Sequence, residues 1–418
     1  MQVWYNEKQC KYLSIKAMES FDFFRRTRII FGQSADNEVG QIIKYQGGTR
    51  VLLLHGEKAA IKYGIVERIG RTLDRSGLKY FSKGGIKSNP HIDKVYECIE
   101  FCLSNSINYI LAVGGGSVID TAKIVAAGVF FDGDIWDMFE KHREPYRSLP
   151  LGCVVTVPAS GSECSNSSSL MREKDGRREK LIAYSNSFVP EFAILNPDLT
   201  LSLSPRVTAS GCVDMINHVL EGYFSNSTGV LLSDKLCEAV LSSIIELLPQ
   251  IYEDPNNIDA RANLMLAATL SHNDICCMGR KSDNVITKLA NQLVVENDCP
   301  FGDALAVLIP AWMEYVVQFN PLRIAQFSNR VFGIAINFED PKITAYDGIK
   351  ALRAFFKNVK LPCNFVELGI KTEAIADIVN ALDLKEGKTL GSFVPLDAVA
   401  CEAILSLAAN YCEGRDIF

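Results

Sequence analysis

From Arg28 to about residue 200, short unbroken apolar runs recur between longer stretches of helical spacing. RIIFG (28–32), RVLLLHG (50–56), INYILAVGGGS (107–117) and LGCVVTVPASGS (151–162) read as strands. Each is rich in β-branched residues and is closed by glycine or small polar residues, as suits a strand buried on both faces. Their alternation with helical stretches predicts βαβ units and a mainly parallel sheet covered by helices. After Pro205 the pattern changes. DKLCEAVLSSIIELLPQIY (234–252) and DARANLMLAATLSH (259–272) carry apolar positions at helical period, and no later stretch alternates as a strand would. AYDGIKALRAFFKNV (345–359) and CEAILSLAANYC (401–412) read as further core helices. Between the two textures lies LNPDLTLSLSPRVTASG (195–211), rich in Pro, Ser and Thr. The break is therefore expected at residue 204, with an α/β domain over 1–204 and an all-α domain over 205–418.

Composition narrows the classes. A chain of 418 residues, 48% hydrophobic and 22% charged, can fill two cores. The net charge is −6 and no block of Lys and Arg forms a phosphate-tracking stripe, so neither nucleic acid nor an anionic membrane is an expected partner. A small molecule is. The first twenty residues mix charges among apolar positions and lack a signal-peptide core, and no apolar run reaches the roughly 18 residues of a membrane span, so the expected location is the cytoplasm. The thirteen cysteines are odd in number and scattered, with no CxxC pair, and read as reduced thiols.

Candidate chemistry sits at the strand ends. In ILAVGGGSVIDTAKIVA (110–126) a strand runs into Gly114, Gly115, Gly116 and Ser117 and then a helix. Glycines let the backbone approach a phosphate, and the helix N-terminus offers N–H groups and a positive dipole end. A tight turn without ligand would use the same residues. TVPASGSE (156–163) ends another strand with hydroxyl side chains that would line the same crevice at the carboxyl edge of the sheet. In GCVDMINHVLEG (211–222), Asp214 and His218 stand four residues apart, on one face of a helix, like half of a metal site.

VLLLHGEKAAIKYG, the NP of KSNPHID, GGGSVIDTAK, IWD (135–137), TVPASGSE, PEFAILNPDLT and DMINHVLEGY follow one another in order, within a stretch from about RIIFG (28–32) to LIPAW (308–312) that covers most of the chain. The series resembles the iron-containing alcohol dehydrogenases, in the branch of butanol dehydrogenases and broad-range aldehyde reductases. The resemblance implies a dinucleotide-binding α/β domain followed by an all-helical domain, with the active site in the cleft between them. It implies hydride transfer between a nicotinamide cofactor and a small alcohol or aldehyde, and a homodimer. It also implies that Gly115, Gly116, Ser117, Asp120, Thr156 and Ser160 surround the cofactor, with Lys180 of REKLIAY a further contact.

The same resemblance implies a divalent iron or zinc held by Asp214, His218 and two histidines 14 residues apart further on, places that hold Thr287 and Phe301 here. A further histidine position, near the substrate, holds Asn291. Phe301 cannot ligate and a Thr hydroxyl ligates poorly, so a tight metal site is not expected. Of the five histidines, His55 and His91 lie in the first domain and His142 in a charged stretch. His272, with Asp274 beside it, is the one substitute ligand in reach of the helical domain. Without a metal, a protonated His218 favoured by Asp214 would serve as the acid for the developing alkoxide. Lys288 and Arg280 read as surface charges, and Cys212 and Cys164 as packed thiols.

Cofactor choice turns on LLLHGEK (52–58), where Gly56 stands at the position of a discriminating aspartate in the wider family. Glu57 and Lys58 pull in opposite directions, and the balance tips to NADP(H) over NAD(H). Two functions remain open: an oxidoreductase working without the usual metal, and a nucleotide-binding protein whose catalysis is lost or redirected. A sugar-phosphate cyclase of the dehydroquinate synthase kind shares the fold but depends on a metal, which counts against it.

Overall fold

A computed structural model describes residues 17–56, 59–385 and 387–412. They form two compact units. One comprises Phe24–Met215 with Leu247–Asn273, and the other residues 17–23, Ile216–Glu246 and 274–412.

The first unit is built on a sheet of six strands: β1 (Arg28–Phe31), β2 (Arg50–Gly56), β3 (Lys79–Ile86), β4 (Tyr109–Gly114), β5 (Leu151–Val155) and β8 (Phe192–Leu195). All pair in parallel, in the order β1-β8-β5-β4-β2-β3. A separate antiparallel hairpin joins β6 (Ser167–Lys174) to β7 (Arg177–Tyr184). Its turn, Asp175-Gly176, has φ of 53° and 73°, the left-handed pair that a two-residue hairpin demands.

Alternate residues of the sheet feed two cores. Val51, Leu53, Leu111, Val113 and Ile194 pack under α1 (Val39–Tyr45) and α2 (Ile65–Arg75). Leu52, Leu54, Ile110 and Ala112 pack under α3 (Ile92–Ser104) and α4 (Gly116–Gly128). Both faces are covered, so every residue of β4 is buried and the strand reads as an unbroken apolar run. The chain leaves β2 for β3 on one side and returns to β4 on the other, and α2 and α4 cover opposite faces. The carboxyl ends of β2 and β4, at Gly56 and Gly114, therefore flank the switch point where open α/β sheets bind ligands.

The other helices longer than four residues are α5 (Pro205–Tyr223), α6 (Leu231–Glu253), α7 (Ile258–Ser271), α8 (Val285–Asn297), α9 (Phe301–Val316), α10 (Pro321–Phe332), α11 (Pro341–Asn358), α12 (Ala374–Ala381) and α13 (Ala398–Ala409). Local sequence sets their starts. Asn320 and Asp340 cap α10 and α11 through their side chains, each followed by Pro at the first helical position, where no N–H is missed. In the second unit α9 is buried along most of its length, with Trp312 in an aromatic cluster with Phe224 and Phe393 at centroid distances of 5.2 and 5.9 Å. Asp234 joins Arg280 at 2.9 Å and Arg323 at 2.7 Å. Arg280, expected at the surface, is fully buried instead, because Asp234 and the carbonyls of Gly222 and Val230 replace its water. Among the described residues, no helix is long and apolar enough to cross a membrane.

Candidate active site

In the α/β unit the motif residues converge at the carboxyl edge of the sheet. Gly115 precedes α4 in extended conformation and offers no capping side chain, so the N-terminal amides of α4 face no side-chain cap. None of Gly114, Gly115 and Gly116 has positive φ; close approach requires them. A Cβ on Gly115 would lie 2.9 Å from Cβ of Val157, and one on Gly116 would overlap Oγ of Ser160. The two polar loops thus press directly on each other, and the backbone N–H of Thr156 donates a hydrogen bond of 3.0 Å to the Gly114 carbonyl.

Side chains brace this junction. Ser117 donates to the carbonyl of Ser88 in the NP loop. Asp120 accepts from Ser162 Oγ at 2.6 Å and from the amide and hydroxyl of Ser169 at 2.9 and 2.8 Å, tying α4 to the second loop and to β6. Lys180, on β7, donates to Asn89 Oδ1 at 3.2 Å. Lys123, which sequence reasoning passed over, is wholly buried and donates to the carbonyls of Ser165 and Ser167 at 2.9 and 2.8 Å. Burial pushes its amine below the usual lysine range. The signal for it was in DTAK, a lysine in the middle of an apolar helix face. Gly56 has room beside it: an added Cβ would meet only Ile86 O at 3.8 Å and Val118 Cγ2 at 4.0 Å. Glu57 and Lys58 lie outside the described residues. Uncapped amides, glycines and hydroxyls around the switch point fit a dinucleotide.

His272 belongs to this unit. Its Nδ1 donates to the Ser160 carbonyl at 2.6 Å, which leaves Nε2, 3.4 Å from Ser167 Oγ, as the acceptor. Asp274, at φ 67°, precedes the turn Ile275–Cys277 in the other unit. Cys164 and Cys212 are buried, and burial pushes the Cys212 thiol up to about 12 and that of Cys164 higher still.

Asp214 and His218 share α5, both with little exposure. His218 Nδ1 lies 3.6 Å from Oε2 of Glu221, a carboxylate that sequence reasoning did not single out. The other oxygen of Glu221 accepts from Thr287 Oγ1 at 2.5 Å, and Thr287 in turn accepts from Asn217 Nδ2 at 2.8 Å. The hydroxyl at the implied ligand position is thus spent on α5. Phe301 opens α9 with a side chain of carbon alone, Asn291 is buried on α8, and Lys288 is exposed. Among the described residues no three His, Cys, Asp or Glu side chains gather as a metal site. The donor set at these positions does not fit a divalent iron or zinc.

Family comparisons agree with this architecture. Residues 26–197 match the model of the iron-containing alcohol dehydrogenases, and residues 208–408 that of the C-terminal part of the Fe-containing alcohol dehydrogenase family. The chain is 34% identical to the probable NADH-dependent butanol dehydrogenase 2 of Bacillus subtilis, over 93% of its own length and 99% of that protein. It is 29% identical to the NADPH-dependent aldehyde reductase YqhD of Escherichia coli, over 88% and 93% of the two chains. The crystal structure of NADH-dependent butanol dehydrogenase A from Thermotoga maritima superposes with a TM-score of 0.90 at 32% identity, covering 94% of this chain and all of that one. The protein belongs to the iron-containing alcohol dehydrogenase family.

Proposed function

We propose that the protein is an NAD(P)-dependent oxidoreductase that interconverts a small alcohol with its aldehyde or ketone, and that it does so without the metal of its family. The observation that carries the second part is the commitment of the Thr287 hydroxyl to Glu221 and Asn217. Gly115, Gly116, Ser117, Thr156 and Ser160 would hold the dinucleotide, with Asp120 and Lys180 bracing the loops around it. When bound, the nicotinamide supplies the hydride. His218 donates a hydrogen bond, then a proton, to the substrate oxygen as charge develops there, a contribution of about 10²–10⁴ in rate. Asp214, one turn earlier on α5, favours the protonated imidazole. NADP(H) is the preferred cofactor on the strength of Gly56 and Lys58. A homodimer in the cytoplasm completes the proposal.

The test is elemental mass spectrometry of protein purified without oxygen or chelator, beside NAD(P)H oxidation with a panel of aldehydes. The expected result is far less than one iron or zinc per chain, turnover that survives chelation, and its loss in His218→Ala. One metal per chain that disappears in Asp214→Ala would refute the metal-free mechanism. The alternative, a nucleotide-binding protein without this catalysis, is favoured by Phe301, which removes a ligand outright; it predicts dinucleotide binding with no turnover of any aldehyde.

A further inference from the structure

At the carboxyl end of β3 the α/β unit holds a cavity of about 300 Å³, open to solvent at the exposed residues Gly85, Lys87 and Asp93. Its walls place it beside the glycine cradle. Gly56 pairs with Ile86 in the sheet, and the carbonyl of Ile86, a wall residue, lies 3.8 Å from where a Cβ on Gly56 would stand. Thr121, also on the wall, follows Ser117 by one turn of α4 and donates to its carbonyl at 2.8 Å. Cations dominate the lining. Glu97 divides its oxygens between Lys83 at 2.7 Å and Lys94 at 2.8 Å, and these two bonds hold its carboxyl below the ordinary range. Two lysines on one carboxylate leave a surplus positive charge. Lys87 adds another and forms no ion pair among the described residues. Asp93 is the other carboxylate of the lining, and His91 supplies a ring N–H.

We propose that this cavity takes the 2′-phosphate of NADP(H), with Lys87 and Lys94 as the residues that select the phosphorylated cofactor. This rests on the reading of the carboxyl edge as a dinucleotide site and deepens it. With a pyrophosphate at Gly115–Ser117, the adenosine half runs over the end of β2, the strand beside the glycine loop, where such sheets contact the ribose. Its 2′ position then stands over Gly56, which offers a diol no carboxylate, and faces the end of β3. A free 2′-hydroxyl gains little from two ammonium groups. A phosphate there gains charge-assisted hydrogen bonds from both.

The experiment is fluorescence titration of the full chain with NADPH and NADH. Wild type is expected to bind NADPH the more tightly. Lys87→Ala, at an exposed position that the fold does not need, should raise the ratio of the NADPH to the NADH dissociation constant by about tenfold, the loss of one charge-assisted hydrogen bond. Lys94→Ala should raise it too, and Lys87→Arg should retain the wild-type ratio. Lys79→Ala removes the same charge at the far end of β3, outside the cavity, and should leave the ratio where it was. A ratio unmoved by Lys87→Ala, or moved as far by Lys79→Ala, would overturn the proposal. So would inorganic phosphate that binds through Lys87 equally well with NADH already in place, since the cavity would then serve a free anion. A wild type that binds NADH at least as tightly as NADPH would overturn it as well, although the dinucleotide reading would then stand. Binding of neither cofactor would remove both.

Discussion

The hydroxyl of Thr287 on α8 donates to the carboxylate of Glu221 on α5 across 2.5 Å, and with Asn217 it closes a network that touches His218. Thr287→Val keeps the shape and removes the bond, leaving that Glu221 oxygen with only the 3.4 Å contact from Asn217. The expected loss is about 1–3 kcal/mol in urea unfolding. An unchanged midpoint would show that the two helices are held together there by packing alone.

Gly116 and Ser160 touch so closely that a methyl group has no room. Gly116→Ala should cost about 1–3 kcal/mol and weaken dinucleotide binding. Ser160→Ala removes the colliding Oγ and should recover part of the stability when combined with it. Strict additivity in the double-mutant cycle would contradict the direct contact.

Gly56 differs, since its neighbours leave 3.8 Å or more around an added Cβ. Gly56→Asp should fold normally and move the ratio of the dissociation constants toward NADH by about tenfold, through repulsion of a 2′-phosphate and pairing with a ribose diol. Fluorescence titration with both cofactors measures it, and equal changes for the two would place discrimination elsewhere.

Asp234 is one source of pH dependence in the helical unit. Burial pushes its carboxyl up, but Arg323 and Arg280 more than reverse this and hold it below the ordinary range. The pairing stability is therefore complete above the unfolded value of about 3.9 and is lost as pH falls through the depressed folded value. Asp234→Asn should cost about 3 kcal/mol at neutral pH. The gap from wild type should narrow as urea midpoints are followed below about pH 4; a gap that is constant with pH would contradict the ion pairs.

Much of this was legible in the chain. The four apolar runs became β1, β2, β4 and β5, and the long amphipathic stretches became α6 and α7. Two strands were not legible, for physical reasons. β3, KYFSKGGI, lies at the edge of the sheet and is largely open along one side, so its apolar signal is broken by lysine and glycine. β8, FAIL, is too short to carry a period. The β6–β7 hairpin was announced by Asp175-Gly176 but hidden among charges. At the site, the motifs located the glycine loop and the Asp214–His218 pair, whereas the bond of Glu221 to Thr287, 66 positions away, is a pairing that no local pattern encodes.

Arg261 bears on how this chain can be divided. From α7 its guanidinium reaches the carbonyls of Thr200 at 2.7 Å and Leu203 at 3.0 Å, within the Pro- and Ser-rich stretch that looks like a linker. Thr269 of the same helix donates to the buried Glu163 at 2.7 Å, and His272 holds Ser160. A fragment ending at residue 204 would lack all three of these braces, so the nucleotide loops of such a truncation should be open to protease, while in the whole chain the apparent linker should resist cutting.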